Sequence, residues 1–355
     1  MKKLYALIFT TAMLMLSIGA RAQSNNNSSG SGFDQLIKSS PADATKLVQA
    51  FAEPLFKGFG IGLNSGWNNT AKTKKLLHFD LRITGNIAQV PTSESTFDVT
   101  KIGLSSHVAP DASSPTNIAQ TFAGDKNAAN PILDIKDNNG NKISSFTMPK
   151  AVVKYIPAPN IQLTVGLVKN TDLTIRTTPS INIGSNGGSV GMIGFGIKHD
   201  LIQDFAKKVP KPFDLAIAVN YNRLNYNVPL TVNPDAGTAP APGSQTDFSN
   251  QKVKGTFSGT SVQAIISKKL LFFTPFLSVG YQTASTDFAV LGNYPVTSSA
   301  GVYTTISNPV SINETSISGF RTDIGFQLNL AVFRIYASYS PGSYQSVNGG
   351  IGLGF

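Results

Sequence analysis

The sequence predicts an all-β fold: a transmembrane antiparallel up-and-down β-barrel of about twelve strands, with fourteen as the alternative, and a short N-terminal helix that is either a periplasmic cover or a plug in the barrel mouth. Three observations lead there. Beyond Lys57 apolar residues recur at every second position over long stretches. These exceed the usual strand of about five or six residues and suit a tilted bilayer crossing of about ten. Connections alternate between short and long, as at the two ends of a membrane barrel. The charged fraction is 14%, against about 25% in soluble domains, and a hydrophobic fraction of 41% is low for a bundle of membrane helices.

The chain begins with an address. Lys2 and Lys3 form a basic start, Leu4 to Ile18 an apolar run, and Ala20-Arg21-Ala22 a small-residue cleavage site. Residues 1–22 are read as a cleaved signal peptide. The formal charge of +10 then falls to about +7 once Lys2, Lys3 and Arg21 are removed. The remaining cations are scattered rather than clustered, so nucleic acid is not an expected partner. There is no cysteine, which excludes disulfides, thiolate zinc sites and a lipidated N-terminal cysteine.

Residues 23–32, "QSNNNSSGSG", read as a flexible linker. Residues 33–56 carry the one helical signal. Ser40 can cap, Pro41 suits the first turn, and Ala44, Leu47, Val48, Phe51 and Leu55 share a face. Leu47, Phe51 and Leu55 are the candidate plug residues.

The barrel is expected over 57–355. Its strands are read at 58–67, 77–89, 95–105, 148–168, 172–184, 189–199, 212–224, 252–267, 272–284, 316–330, 333–340 and 345–355. The prolines at 149, 157 and 159 leave open whether 148–168 is two strands. In "LLHFDLRITGNIA" Leu77, Phe79, Leu81, Ile83 and Ile87 oppose His78, Asp80, Arg82, Thr84 and Asn86. Tyr221, Tyr281, Tyr336 and Tyr339 fall near strand ends, where an aromatic girdle would sit. Brief connections are expected near 168–171, 267–271 and 330–333, and long polar ones near 106–141, 225–250 and 285–314.

The chain ends in "NGGIGLGF". This resembles the C-terminal strand that Gram-negative outer-membrane barrels present to their assembly machinery: a terminal aromatic preceded by alternating apolar residues, here Phe355, Leu353, Ile351 and Val347. "EPLFKGFGIGLNSGW", "FGIKHDLIQDF" and "PFDLAIAVNYNRL" resemble an uncharacterised group of outer-membrane barrels. The helix ahead of a mid-sized barrel is similar in architecture to the long-chain fatty-acid transporters, without a match to their ligand-gate sequence. The resemblance implies residence in the cell outer membrane, with outer-membrane lipid and the barrel-assembly machinery as partners.

The search for chemistry gives little. His78 and Asp80 share a face, but no Gly-x-Ser-x-Gly elbow exists and Arg82 is the better partner for Asp80. His199 and Asp200 lack further ligands at metal spacing. "DIKDNNGNK" lacks the order and final glutamate of a calcium loop. No enzyme, metal or cofactor is expected. The fuller constellation is the predicted lumen lining: His78, Asp80, Arg82, Asp172, Arg176, Asp214, Arg321, Asp323 and Arg334. Charges there must be paired or wetted. They make either an ion-pair network that stiffens the barrel or the lining of a pore without strong ion selectivity. The leading expectation is a passive channel for a small or hydrophobic solute. The alternative is a non-conducting surface-binding or structural barrel acting through long external loops.

Overall fold

The computed structural model describes residues 36–37, 39–183, 188–205, 212–299 and 301–354. The expected signal peptide, the 23–32 linker and Phe355 lie outside them.

Helix α1 spans Pro41–Asn64. Ser40 caps it, its side chain accepting from Asp43 N at 3.2 Å, and Pro41 sits in the first turn. The helix runs eight residues past the expected end at 56. The strand expected at 58–67 is therefore its last turns. Gly58, Gly60 and Gly62 alternate with Phe59, Ile61 and Leu63 and mimic a period of two. In the helix these glycines serve close approach. A Cβ on them would lie 2.5 Å from Ile156, 2.7 Å from Ala284 and 2.6 Å from Ala158.

Ten strands close the barrel, not twelve or fourteen. In chain order the strands are β1 (Phe79–Gln89), β2 (Thr96–Asp98), β3 (Val108–Pro110), β4 (Ile118–Gln120), β5 (Ile132–Lys136), β6 (Lys142–Thr147), β7 (Tyr155–Gly166), β8 (Thr171–Ile183), β9 (Gly188–Asp200), β10 (Asp214–Pro229), β11 (Ala239–Pro240), β12 (Lys252–Ser267), β13 (Phe273–Leu291), β14 (Asn293–Ser299), β15 (Val302–Ser307), β16 (Val310–Leu330), β17 (Phe333–Ser340) and β18 (Gln345–Gly354). The wall is β1-β7-β8-β9-β10-β12-β13-β16-β17-β18, closed by antiparallel pairing of β18 with β1. The stretch expected as a wall strand at 95–105 is instead β2 and a turn. It belongs to a cap built from three small sheets, β2-β4, β3-β5-β6 and β11-β15-β14. β7 is one strand despite Pro157 and Pro159. These pair with Ile87 and Gly85 of β1, while β8 joins β7 only from Ile161 onward. The absent N–H groups thus fall where one edge of β7 has no ladder.

The short connections cluster at one end. They are 167–170, 268–272 and 331–332, together with helix α2 (Leu201–Phe205) after β9. The cap, the longer connections and the four-residue link 341–344 lie at the other, the loop end.

The strands change phase along their length. In β12 the outward face reads Lys252, Lys254, Thr256, Ser258, Thr260, then Val262, Ala264, Ile266; the inward face reads Val253, Phe257, then Ser261, Gln263. Near the turn end the wall is apolar outside and mainly polar inside, apart from a small cluster of Ala71, Ala216, Ala218, Ile265 and Phe276. Near the loop end it is the reverse. The lower, apolar belt includes Leu81, Ile83, Ile197, Val219, Leu277, Val279, Ile324, Ile351 and Leu353, all exposed. Tyr281 pairs across the ladder with Phe320 and Val262 near its upper margin. A belt of this kind is what a bilayer covers, because a closed barrel leaves no unpaired edge in hydrocarbon. This phase change also corrects the expected loops. β10, β13 and β16 extend through the outer parts of 225–250 and 285–314, where their outward faces are polar.

The core fills the upper lumen. Leu47, Val48, Phe51 and Phe56 of α1 pack with Ile156, Met192, Tyr226, Val253, Phe257, Phe288, Val290, Val310 and Ile312, and with Val108, Leu133 and Phe146 of the cap. Phe56 lies 5.9 Å from Phe257 and 5.5 Å from Phe288, between ring centroids.

Gly58→Val places new atoms against Ile156 and should cost about 1–3 kcal/mol by overpacking. The expected result is a lower urea midpoint for the folded, heat-modifiable form. Gly85→Ala, with nothing within 4 Å of its Cβ, should leave the midpoint nearly unchanged.

Candidate functional site

The site is the lower half of the lumen, where α1 ends. A helix leaves its last carbonyls without intrahelical partners. Here they are far from the loop end, and α1 has no basic residue in its last turn. The wall supplies the donors. Arg176 donates Nη1 to Leu63 O at 3.1 Å and to Ser65 O at 3.0 Å. Asn222 also donates to Leu63 O, and Asn64 donates to Thr283 O at 3.0 Å. Gln162 holds the guanidinium from the side, accepting from Nε at 3.2 Å and Nη2 at 3.0 Å. The face of Trp67 lies 3.9 Å from its carbon. Arg176 is fully buried, and the groups bound to it are carbonyls, an amide and a ring rather than a carboxylate. The negative end of the helix dipole takes that place.

Beyond the helix, residues 65–78 form a strap that runs down the lumen to the turn end. Trp67 O accepts from Gln162 Nε2 at 3.0 Å and from Arg82 at 3.4 Å. Ala71 N donates to Ser267 Oγ at 2.9 Å. Lys198 donates to Thr70 O at 3.0 Å and Lys72 O at 3.1 Å. Lys74 N donates to Asp172 at 2.8 Å, and Leu77 N to Gly166 O at 2.9 Å. The strap has no regular secondary structure, so wall side chains satisfy its buried main chain.

Three lumen carboxylates, Asp80, Asp172 and Asp323, each hold a base. Asp80 lies 3.1 Å from Arg82 Nε and 3.7 Å from Lys74 Nζ, binds Arg334, and accepts from Tyr336 Oη at 3.0 Å. Asp172 lies 3.1 Å from Lys198 Nζ. Asp323 lies 2.7 Å from Arg321, which also donates to Ser65 Oγ at 2.9 Å and Ser340 Oγ at 2.6 Å. Burial of these ions is tolerable only because their partners come with them.

Most of the residues expected in the lumen therefore meet the plug or one another. Asp80, Arg82, Asp172, Arg176, Arg321 and Asp323 are buried, and Arg334 joins through Asp80. Asp214 lies at the turn end, opposite Ser267. His78 is a correction: β1 starts at Phe79, and His78 is an exposed residue of the turn preceding it. It lines no lumen and pairs with no Asp80. Lys74, Lys198, Trp67 and Tyr336 are additions to the site. Lys198 was signalled by the alternation in "FGIKHD", where it follows Gly194 and Gly196 on the inward face. Of the candidate plug residues, Leu47 is fully buried, Phe51 is 6% exposed and Leu55 packs at the edge of the same core. Val347, Ile351 and Leu353 face outward on β18.

His199 and the acidic stretch have local roles. His199 contacts Asp204 at 2.8 Å and Thr171 at 3.0 Å, and Asp200 accepts from Gln203 N at the start of α2. Asp137 closes a turn by accepting from Asn139 N and Asn141 N, each at 2.8 Å. Among the described residues no cluster of metal-binding type occurs.

The wall is also open beside β16. β16 has 21 residues, but β17 has 8 and pairs with it only up to Ile324. Above that point β16 has β13 on one edge and no described strand on the other. A cleft of about 300 Å3 lies there between Ser316–Arg321 and Ser340–Tyr344, with Lys57 and Ile61 of α1 at its inner side. Phe320, 86% exposed, stands at its outer rim.

Arg176→Met removes the donor to Ser65 O and to Gln162 Oε1, while Leu63 O keeps Asn222 and Trp67. Each orphaned group costs about 1–3 kcal/mol, so the variant should lose about 3 kcal/mol in urea unfolding. Limited trypsin digestion should also cut the strap at Lys72, Lys74 or Lys75 sooner than in the parent chain. An unchanged midpoint and unchanged digestion would show that the lock contributes nothing.

Among curated proteins nothing matches this sequence. The fold is similar to several solved barrels. The outer membrane protease OmpT of Escherichia coli shares 8% identity over 82% of this chain and 99% of that one, with a TM-score of 0.32. The translocator domain of the autotransporter NalP of Neisseria meningitidis shares 10% over 80% and 90%, at 0.31. Ail, the attachment invasion locus protein of Yersinia pestis, shares 10% over 78% and 98%, at 0.25. These are likenesses of barrel architecture alone. The family model "Family of unknown function (DUF6588)" matches residues 1–355, and the chain belongs to that family.

Proposed function

We propose that this protein is an outer-membrane barrel that is closed to ions and acts from its folded loop-end cap as a surface-binding or structural element. The observation that supports this most is the filled lumen. α1 occupies its upper half and the strap its lower half, and wall side chains bind both. Moving α1 out would expose Leu47, Val48, Phe56 and Leu63, each no more than 1% exposed. At about 1.5–3 kcal/mol for each, that approaches the whole net stability of a typical domain, about 5–15 kcal/mol. It would also strip Arg176 of its carbonyls. A segment held this way is a core, and a poor gate. The signal-peptide pattern of residues 1–22 and the apolar belt together favour the outer membrane, with the cap outside and the short turns facing the periplasm. In planar bilayers the purified protein should give no steady conductance. Stable channels from the wild-type chain would sink this reading.

A second reading keeps the transport role, and the side cleft favours it. A hydrophobic solute entering at the cap would pass beside β16 into the lipid rather than along the axis. On that reading, cells carrying the protein take up a hydrophobic dye faster than cells lacking it, and Gly319→Trp, which fills the cleft, abolishes the difference. Equal uptake in all three strains argues for the closed platform alone.

A further inference from the structure

The direction of α1 fixes where the chain upstream of it must lie. The first turns of the helix are bound at the loop end: Asp43 accepts from Ser105 N at 2.8 Å and Oγ at 2.6 Å, Thr45 Oγ1 accepts from Ser311 N at 3.4 Å, and Gln49 donates to Glu314 at 2.6 Å. Leu36 and Ile37 belong to the cluster that includes Val99, Val108 and Phe146 of the cap. The far end of α1 meets Arg176, and the strap reaches Gly166 at the turn end before β1 turns back up. The chain thus enters the lumen from the loop end and leaves it at the turn end.

Two routes could return the upstream chain to the turn end, and both are closed. The lumen is already full around the strap: Asp172, Arg176, Asp200, Gln162 and Asn222 are 0% exposed. The outer wall is the apolar belt, and "QSNNNSSGSG" would have to cross hydrocarbon there with unsatisfied backbone groups, at several kcal/mol each. We infer that the N-terminal tail, Gln23 to Gln35 once residues 1–22 are removed, is displayed on the outer cell surface. The exported chain then crosses the membrane inside its own barrel, with α1 passing through the lumen. The inference rests on the outer-membrane reading and adds to it: anything joined ahead of Leu36 is surface-exposed.

The chain has no cysteine, so single cysteines report cleanly. Ser28→Cys tests the tail. Asn138→Cys marks the cap and Lys269→Cys the short-turn end. Each is treated in intact cells, and again after the outer membrane is opened, with a membrane-impermeant maleimide. Ser28→Cys should label in intact cells as Asn138→Cys does, while Lys269→Cys labels only once the membrane is opened. If the two markers differ but Ser28→Cys follows Lys269→Cys, the display of the tail is overturned and the membrane reading stands. If the markers show no difference in sidedness, both fall together.

Discussion

Everything in the lower lumen follows from placing the carboxyl end of a helix inside a closed wall. The carbonyls of Leu63, Ser65 and Trp67 point into a space with little room for water. Each must find a donor or cost about 1–3 kcal/mol. Arg176 is suited to this because its guanidinium carries several donors in a fixed plane. Its charge is also favourable against the helix dipole. A carboxylate beside it would compete with the carbonyls for the same N–H groups. The acids of the lumen are instead spent on other bases: Asp80 on Arg82, Arg334 and Lys74, Asp172 on Lys198, Asp323 on Arg321. The network is a docking surface for main chain, with its charges balanced around the edge.

The upper lumen obeys a different rule. There the strands stand clear of the apolar belt, so their outward faces meet water and their inward faces meet α1. The wall behaves as a membrane barrel below and as a soluble sheet around a helix above. A single strand such as β12 carries both patterns, joined near Ser258 and Thr260 where neither face is strongly apolar. The register step between Ala284 and Ser285 of β13 occurs at the same level, and a bulge there lets the longest strands bend into the cap.

The sequence made the lower half of this legible. Period-two alternation placed Asp80, Arg82, Asp172, Arg176, Arg321 and Asp323 on the inward face, because a one-residue slip would have put them in lipid. The upper half was obscured for a physical reason. Once the phase inverts, Asn225 and Asn227 or Ser285 and Asp287 read as loop, although they are the wet side of a strand. Gly58, Gly60 and Gly62 misled in the opposite sense. Alternation with Phe59, Ile61 and Leu63 signals a strand, yet close packing on Ile156, Ala158 and Ala284 asks for glycine at those places in a helix. The strap was invisible because its order comes from partners far away in the chain, and Trp67 and Lys74 carry no periodic signal of their own. His78 failed by one residue: alternation continued past the point where the wall stops.

The final strand ties closure of the wall to seating of the plug. β18 offers lipid Val347, Ile351 and Leu353, but its inward residues belong to the lock. Ser346 accepts from Arg321, and Asn348 donates to Asn86 Oδ1 of β1 at 2.6 Å. The inward glycines make room rather than contact. A Cβ at Gly352 would lie 2.8 Å from Tyr336 Oη, the hydroxyl that donates to Asp80. A Cβ at Gly354 would displace the Arg334 guanidinium that binds the same carboxylate. Pairing β18 with β1 therefore completes the partners of Arg321 and leaves Asp80 its own. A barrel closed without α1 and the strap would leave Arg82 and Arg321 their carboxylates but Arg176 without its carbonyls. Burial of an uncompensated charge is strongly unfavourable, by about 3–5 kcal/mol. Closure of the wall and seating of the plug are for that reason coupled in energy: the strand that ends the wall also supplies part of the site that holds the helix.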